Sequence, residues 1–406
     1  MLSTRSRQSV AGGGEEDLVD EAKGEPRRLP ISSQIMRRPV AVAVACMLSL
    51  AACLCWRGGG TVLRDARRGD TLAPDDVFGV RMARPTERVL VTGGLGFIGS
   101  HVVDLLLDRG FEVVVLDDES NGHNHNARAS EAYVPRDITV VRELPPSGLG
   151  VSHVVHLAAA ISVAESMKQP AKYERVNVNG TRNVLEWARA HHVKRVVAAS
   201  SAAIYGNPAP SLLPLKEEAG YAGVSPYAET KFRLEGLLEE QVKLAEEADP
   251  PLSATAFRFF NVYGPRQDPR NPYSGVISLF MEAASSAEPI KLLGDGLQTR
   301  DFVYVKDVAR AVVTALLLSS VELPGFSVFN VCTGKSITVL ELSSLVKDAL
   351  QSSSPVLHLD PREGDIRESA CNPSKLTQTI GFSARYSVKQ GLLATARWFT
   401  ATARSE

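Results

Sequence analysis

The sequence lacks the cysteine spacing that a disulfide scaffold or a zinc site requires. Only 5 of its 406 residues are cysteine. Cys46, Cys53 and Cys55 share one apolar run, Cys332 and Cys371 lie far apart in the chain, and no CxxC pair occurs. We therefore expect neither a disulfide framework nor a cysteine-ligated metal.

The chain also lacks an excess of charge of one sign. It has 45 Lys and Arg against 46 Asp and Glu, which gives a formal net charge of −1 at pH 7. No overall basic field is available, so we predict no nucleic-acid partner. His123 and His125 have no third ligand nearby in the sequence. We interpret them as residues of a solvated loop and predict no bound metal.

One run, residues 40–56, lacks charge altogether. It follows a polar tail, residues 1–39, whose composition is typical of disordered chain. The run is at the short end of what a membrane-spanning helix needs, and we predict a single N-terminal anchor followed by a stem over residues 57–86. A buried core helix and an organelle-targeting segment are the alternatives.

The arginines on the two sides of this run balance, so their distribution does not assign an orientation. The predicted location is that of a single-pass membrane protein, with type II insertion in the Golgi or the endoplasmic reticulum as first candidate. An organelle-targeted or a cytosolic protein is the alternative.

From residue 87 onward, short β-branched runs alternate with longer helical stretches. Strands are predicted near residues 88–92, 112–116, 151–157, 195–200 and 254–260, and helices over 98–109, 173–191 and 227–245. Alternation of this kind predicts an α/β fold with a doubly wound parallel sheet of the Rossmann type.

A glycine-rich turn joins the first predicted strand to the first predicted helix. Gly93, Gly96 and Gly99 form a GxxGxxG pattern, which allows a tight turn, close approach of a pyrophosphate and close packing of helix on strand. Asp117 ends the next strand, where a carboxylate accepts hydrogen bonds from ribose hydroxyls and repels a 2′-phosphate. The pattern favours NAD over NADP, although a strand-end aspartate also caps turns.

A reactive pair is predicted at the start of the last of these helices. Tyr227 and Lys231 are four residues apart and therefore lie on one helix face. We expect the lysine ammonium and a positive nicotinamide ring to lower the pKa of the tyrosine, so that it moves a proton on a substrate hydroxyl. Ser201, at the end of a strand, would hydrogen-bond the same hydroxyl.

At these residues the chain resembles the extended short-chain dehydrogenase/reductase family, specifically the UDP-glucose 4-epimerase-like branch of the NAD-dependent epimerases and dehydratases. The resemblance covers nearly all of residues 87–400. It rests on motifs in the family's order: VTGGLGFIGSH, VLDDESNG, HLAAA, NVNGT, SSAAIYG, SPYAETK, RFFNVYGPRQDP, GDGLQTRDFVYVKDVA and REGDIRESACN.

The resemblance implies an NAD-binding Rossmann domain over residues 87–260 and a smaller C-terminal α/β subdomain for the nucleotide sugar over residues 261–406, with some chain crossing between them. The implied catalytic residues are Ser201, Tyr227 and Lys231. The implied NAD-binding residues are Gly93, Gly96, Phe97, Ile98, Gly99, Asp117, Asp118, Asn121, Gly122, Asp137, Ile138, Leu157, Ala158, Ala159, Tyr227, Lys231 and Phe260. The implied substrate-binding residues are Ser201, Asn261, Arg300, Arg362, Asp365 and Ser369, with the two arginines on the diphosphate.

Two further positions, Ala203 and Ser369, limit which reactions and substrates of the family are expected. The family's decarboxylases and dehydratases carry a glutamate where this chain has Ala203, which disfavours elimination and decarboxylation. Ser369 occupies the position that gates the space beside the sugar, and a small residue there admits 2-acetamido sugars. We therefore expect an isomerase, an NAD-dependent UDP-sugar 4-epimerase acting on UDP-Glc/UDP-Gal and also on UDP-GlcNAc/UDP-GalNAc.

Several alternatives to this reaction remain. A UDP-glucuronate 4-epimerase, a decarboxylase or a dehydratase would act on the same class of substrate. A hydroxysteroid-type dehydrogenase or a non-catalytic NAD-binding protein would share the glycine motif. The resemblance also implies a homodimer through two helices of the Rossmann domain.

Overall fold

The computed structural model describes residues 87–126, 132–140, 144–145, 149–269, 275–361 and 364–402. The predicted tail, apolar run and stem, and also Arg362, lie outside the described residues. Within them, no helix is both long and apolar enough to cross a membrane. The membrane anchor over residues 40–56 therefore stays a prediction.

Seven strands form the central sheet, and each pairs with its neighbours in parallel. These are β1 (Arg88–Thr92), β2 (Glu112–Asp117), β3 (Ala132–Pro135), β4 (Val151–His156), β5 (Arg195–Ser201), β6 (Ser253–Phe259) and β10 (Phe326–Val331). Their order is β10-β6-β5-β4-β1-β2-β3. The order reverses between β1 and β4, and ligands of such sheets bind at the carboxyl ends of the strands beside this point. The predicted doubly wound parallel sheet is confirmed.

Helices cover both faces of this sheet. On one face, α1 (Phe97–Asp108) packs against α7 (Val305–Leu317), and residues such as Val102 and Val308 join a buried apolar cluster. On the other face, α4 (Thr181–Ala190) packs against α5 (Pro226–Leu244), around residues such as Leu185 and Leu238. Burial of both faces explains why the strands read as nearly continuous apolar runs in the sequence.

The helix predicted over residues 173–191 is not one continuous α-helix. After α2 (Val163–Lys168), the chain forms the short α3 (Pro170–Tyr173), a π-helical turn over Glu174–Gly180 and then α4. The sequence pattern correctly predicted helix over these residues, but it did not predict the change from α-helical to π-helical hydrogen bonding. Turns of this type are frequent at functional sites, and the Asn177 side chain leaves this one to bind the loop after β4.

Most of the described residues from 261 onward build a smaller part of the structure around a separate core. Its strands are β7 (Asn261–Tyr263), β9 (Thr299–Tyr304) and β11 (Ser336–Thr338), which form one sheet, and β8 (Ile290–Leu293) and β12 (Val356–Leu359), which form a pair. Its helices are α6 (Val276–Ser285), α8 (Val339–Leu350), α9 (Ser374–Ile380) and α10 (Val388–Thr402). Between these elements, α7 and β10 return to the large sheet.

The expectation that the cysteines form no disulfide was wrong. Cys332, directly after β10, is bonded to Cys371, and their Cα atoms are 6.3 Å apart. The chain folds back over this sequence separation of 39, and Cys371 also forms an isolated parallel β-bridge with Leu215. Spacing along the chain carried no sign of this pair because tertiary structure alone brings the two residues together.

Candidate active site

The glycine-rich turn lies under the N-terminus of α1, as its spacing predicts. Gly93 adopts a φ of +71°, and a Cβ there would lie 2.6 Å from the backbone nitrogen of Ala158. A Cβ on Gly99 would lie only 2.0 Å from the carbonyl oxygen of Gly93. Gly96 is the N-cap of α1, and the helix proceeds through Phe97 and Ile98. The backbone therefore forms a cradle at a helix N-terminus, which fits a pyrophosphate.

Asp117 ends β2 beside this turn and is almost fully buried. Its two carboxylate oxygens accept hydrogen bonds from the backbone nitrogens of Leu95 and Glu119, at 3.0 and 2.9 Å. Burial raises the pKa of Asp117, and these two hydrogen bonds lower it again in part. Each oxygen retains a lone pair for a ribose hydroxyl. The carboxylate of Asp118, by contrast, binds within its own turn to Ser120.

The other predicted cofactor positions surround the same edge of the sheet. Gly122 approaches Asp117 so closely that a Cβ would lie 2.9 Å from its Oδ1. Asn121 lies in the same loop. The carboxylate of Asp137 accepts a hydrogen bond from the nitrogen of Thr139, and the side chain of Ile138 is buried. These residues fit the adenosine half of a dinucleotide.

The loop after β4, residues 157–160, passes directly beneath the cradle. The nitrogen of Leu157 donates to the carbonyl oxygen of Thr92 in β1, at 3.0 Å. The side chain of Asn177 accepts from the nitrogen of Ala160 at 2.8 Å and donates to its carbonyl oxygen at 3.0 Å. Ala158 and Ala159 lie between these attachments. Asn177 was not among the residues predicted from the sequence, although it begins the NVNGT motif.

Ser201, Tyr227 and Lys231 come together at the carboxyl end of β5. The helix α5 begins after Ser225, whose hydroxyl caps the nitrogen of Ala228, so Tyr227 and Lys231 occupy its first turns. Ser201 hydrogen-bonds the Tyr227 hydroxyl. The Lys231 ammonium lies 5.9 Å from the centre of the Tyr227 ring and donates to the carbonyl oxygen of Ala199.

Burial dominates the electrostatics of this group. Burial raises the pKa of Tyr227, and the hydrogen bond with Ser201 offsets this rise only in part. Burial also lowers the pKa of Lys231 to about 8. Lys231 is not among the causes that shift the pKa of Tyr227, and the expected lowering of that pKa involves the nicotinamide as well as the lysine. A phenolate at neutral pH needs a further positive charge against the ring, and the nicotinamide of NAD⁺ carries one.

A buried ion pair supports this group from the side of the sheet. The guanidinium of Arg258 in β6 donates to both carboxylate oxygens of Glu235, at 2.9 and 2.7 Å. Glu235 lies one turn beyond Lys231, and it also accepts from the hydroxyl of Ser200. Tyr205 accepts from the same guanidinium. The sequence signal for this network is a charged residue within an otherwise apolar strand, Arg258, and one on the buried face of a helix, Glu235; neither was predicted as a site residue.

A cavity of about 710 Å³ lies in the smaller part of the chain. Six of its lining residues are Asn261, Leu279, Phe280, Lys291, Arg300 and Asp365. Arg300 is held by Asp365 at 2.6 Å and by the carbonyl oxygens of Thr299 and Ile366. Three of the predicted substrate residues, Asn261, Arg300 and Asp365, therefore share one cavity, and Arg362 lies outside the described residues.

Two other predicted positions, Ser369 and Phe260, are not among the residues that line this cavity. Ser369 is half-buried, and its carbonyl oxygen accepts from the hydroxyl of Ser336 in β11. Phe260 is buried in a small apolar cluster with Tyr205, Cys332 and Cys371. Ser369 thus lies two residues from the disulfide, on the segment that also carries Asp365.

The fold and the site define a class of protein. A parallel α/β sheet with a glycine cradle, an acidic residue at the end of β2 and a Ser-Tyr-Lys group whose lysine is buried is typical of dinucleotide-binding enzymes that act on a hydroxyl. The family model described as the NAD-dependent epimerase/dehydratase family matches residues 89–332. The chain belongs to this family.

Individual relatives agree with this assignment. A UDP-glucose 4-epimerase of Mycolicibacterium smegmatis is 35% identical over 77% of this chain and 98% of that protein. The structure of Thermus thermophilus UDP-glucose 4-epimerase with NAD is 35% identical, with a TM-score of 0.68, over 77% of this chain and 99% of the other. A UDP-N-acetylglucosamine 4-epimerase of Methanobrevibacter ruminantium, in complex with UDP-N-acetylmuramic acid, is 34% identical, with a TM-score of 0.70, over 79% and 100%.

Proposed function

We propose that this protein is an NAD-dependent isomerase that inverts carbon 4 of a UDP-sugar. The observation that carries the proposal is the group Ser201, Tyr227 and Lys231, assembled beside a dinucleotide cradle and combined with a cavity that presents Arg300. The Ser-Tyr-Lys group can move a hydroxyl proton, and Arg300 in the cavity can bind an anion. The relatives named UDP-glucose 4-epimerase support the same reaction.

The residues of this chain would handle the proton of the sugar 4-hydroxyl. NAD, when bound in the cradle, supplies the acceptor and donor of the hydride at carbon 4. Tyr227 takes the hydroxyl proton, and Ser201 hydrogen-bonds the same oxygen and fixes its position. The 4-keto sugar turns about its diphosphate linkage, and Tyr227 then returns the proton as the hydride returns to the other face. The overall reaction is redox-neutral, so the cofactor is not consumed.

The diphosphate would bind at Arg300. Three of its five N–H donors are engaged by Asp365, Thr299 and Ile366, which fixes the plane of the guanidinium and leaves donors for an anionic oxygen. In this proposal Arg362 supplies the second guanidinium, Asn261 contacts the phosphates and Asp365 contacts the uridine ribose. This division assigns the nucleotide sugar to the part of the chain beyond residue 260.

The substrate range in this proposal includes 2-acetamido sugars. Ser369 has a small side chain, and the UDP-N-acetylglucosamine 4-epimerase among the relatives supports the wider range. Ser369→Tyr should suppress turnover of UDP-GlcNAc by at least about tenfold while UDP-glucose turnover persists, because discrimination by pocket size is typically of this order. Equal loss of both activities would contradict the gating role.

Tyr227→Phe tests the catalytic assignment, with Tyr221→Phe as its matched control. Tyr221 lies six residues earlier and is 40% exposed, so loss of its hydroxyl should leave turnover unchanged. The full-length protein and both variants would be incubated with UDP-glucose, UDP-GlcNAc and UDP-glucuronate, and the C4 epimers separated by chromatography. Tyr227→Phe should abolish turnover while bound NAD is retained. Product from this variant at the unchanged rate would exclude Tyr227 as the proton carrier.

We propose further that the enzyme is a homodimer through α4 and α5. Phe232 on α5 is 42% exposed and stacks on Tyr221 at 4.7 Å, and a groove beside it is lined by Arg182, Leu237 and Phe326. A second copy of this chain would cover this apolar surface. Phe232→Asp should shift the mass measured by light scattering to that of a monomer. The exposed Val321→Asp is the control, and an unchanged dimer in Phe232→Asp would place the interface elsewhere.

We also propose that the protein is anchored in a membrane and that its catalytic part faces an oxidising compartment. Two features support it: the uncharged run over residues 40–56 and the disulfide Cys332–Cys371, since such bonds persist in oxidising compartments. Deletion of residues 40–56 should release the protein from membranes at alkaline pH. If the full-length protein without the deletion is already soluble, or if Cys332 and Cys371 are alkylated without reduction in cell extracts, the proposed location is wrong.

A further inference from the structure

We propose that His156 is a positioning residue that ties the loop under the cofactor to the catalytic helix α5. It lies at the end of β4 and is not among the residues that line the cavity, and the epimerase mechanism gives it no part. The inference rests on the proposed function for its effect on turnover, but its structural basis is a continuous set of hydrogen bonds.

The first half of this set runs from the loop to the histidine. The nitrogen of Ala158 donates to the hydroxyl oxygen of Thr92, at 3.3 Å. That hydroxyl lies 2.8 Å from Nδ1 of His156. On the other side of the ring, Nε2 lies 2.9 Å from the hydroxyl oxygen of Thr181, which itself donates to the carbonyl oxygen of Asn177 at 2.6 Å.

These partners determine which ring nitrogen carries the proton. Thr181 has one hydroxyl hydrogen, which is used on Asn177, so it can only accept from His156. Nε2 must therefore be the protonated nitrogen. Nδ1 is then the acceptor, and the Thr92 hydroxyl donates to it while accepting from Ala158. Every donor in this set has one acceptor, and all the bonds agree on a single neutral tautomer.

The second half of the set runs from Asn177 to the catalytic helix. The side-chain nitrogen of Asn177 donates to the carbonyl oxygen of Ala160 and to the hydroxyl of Thr230, at 3.0 and 3.1 Å. Thr230 donates in turn to the carbonyl oxygen of Tyr227, at 2.9 Å. The loop is thus held at Ala158 through His156 and at Ala160 through Asn177, and both attachments meet at the π-helical turn.

The surroundings of His156 keep the ring in this neutral state. The side chain is fully buried, and burial, with the nearby charge of Lys231, lowers its pKa to about 3. An imidazolium would lose the acceptor at Nδ1 and would break the bond from Thr92. The tautomer of His156 should therefore stay the same over the whole pH range in which the enzyme works.

These hydrogen bonds bear on function through the distance between the cofactor and Tyr227. Hydride and proton transfers need the reacting atoms about 3–3.5 Å apart, and a displacement of 1 Å costs about a hundredfold in rate. The loop after β4 supports the cofactor cradle, because the cradle residue Gly93 has no room for a Cβ against Ala158. A loop that shifts relative to Tyr227 changes the spacing between cofactor and proton carrier without changing the cavity that holds the nucleotide.

The test compares Thr181→Val with Thr181→Ser in the full-length holoenzyme. Valine has the shape of threonine but accepts no hydrogen bond from Nε2, whereas serine keeps that acceptor. Thr181→Val should lower kcat by about tenfold or more, leave KM for UDP-glucose within about twofold, and speed the loss of NAD during gel filtration. Thr181→Ser should restore all three. Equal behaviour of the two variants, or a change in KM alone, would overturn the proposal.

A spectroscopic measurement keeps the inference testable if Thr181→Val does not fold. The chain has 8 histidines, so ¹⁵N-histidine labelling of the wild-type protein, with His156→Gln for assignment, resolves the ring. His156 should show a protonated Nε2 and a bare Nδ1, unchanged from pH 6 to pH 9; the opposite tautomer or a titration would refute it. If the wild type epimerises no UDP-sugar, the proposed function fails, while the NAD-release and NMR results still decide the role of His156.

Discussion

The disulfide Cys332–Cys371 should contribute several kilocalories per mole to stability. The perturbation is the double variant Cys332→Ala/Cys371→Ala. The bond closes a loop of 39 residues, and the chain-entropy relation gives about 4 kcal/mol for a loop of that length. Both cysteines are at most 3% exposed and pack with Tyr205, Leu215 and Phe260, so loss of the sulfur atoms adds to this cost.

The assay is equilibrium unfolding of the full-length protein in urea, with and without reductant. Without reductant, the free energy of unfolding of the double variant should lie about 4 kcal/mol below that of the wild type. Reductant should lower the wild-type midpoint towards that of the variant, which lies lower still because it also lacks the buried sulfur atoms, and it should leave the variant unchanged. Equal midpoints without reductant, or alkylation of both Cys332 and Cys371 in the denatured, unreduced protein, would refute the reasoning.

Three further predictions follow from the contacts. Gly99→Ala should abolish NAD binding, measured by fluorescence titration with NADH, because its Cβ would lie 2.0 Å from a carbonyl oxygen of the turn. Glu235→Ala should lower the free energy of unfolding by about 3–5 kcal/mol in urea, because it leaves the buried guanidinium of Arg258 unpaired. The pKa values of His101 and His156 are lowered from 6.5 to about 4 and about 3. The unfolded chain therefore takes up their protons first, and the urea midpoint should fall as the pH drops from 6.5 towards 4.

Each of these three has an outcome that contradicts it. Normal NADH affinity of Gly99→Ala would mean that the turn is wider than described. A loss below about 1 kcal/mol in Glu235→Ala would mean that solvent reaches the ion pair, as it does in exposed pairs. A urea midpoint that is constant or rises below pH 6.5 would mean that the two histidines are not buried in their neutral form; His156→Gln should flatten the slope.

The large sheet and the cofactor site could be predicted from the sequence for physical reasons. A strand buried on both faces must be apolar throughout, and a turn that receives a pyrophosphate must have glycine where a Cβ would collide. Gly93 and Gly99 meet this second condition through close approaches to Ala158 and to the turn itself. Tyr227 and Lys231 were predictable because helical spacing fixes their common face.

What could not be predicted depends on residues that are distant in the chain. The partner of Cys332 is 39 residues away, and the acceptors of Arg258 come from α5 and from the segment near Glu217. The raised pKa of Tyr227 follows from burial, which spacing does not report. The π-helical turn around Asn177 has the same apolar pattern as the α-helix that was expected.

A reversible oxidation at carbon 4 can be followed through the fate of the hydrogen on that carbon. The full-length protein would be incubated with UDP-[4-²H]glucose in ordinary water, and the product analysed by mass spectrometry and NMR. We predict UDP-[4-²H]galactose with its deuterium retained, because the hydride stays in the site between its removal and its return. UDP-galactose that has lost deuterium to solvent, or the absence of any epimer, would contradict the account.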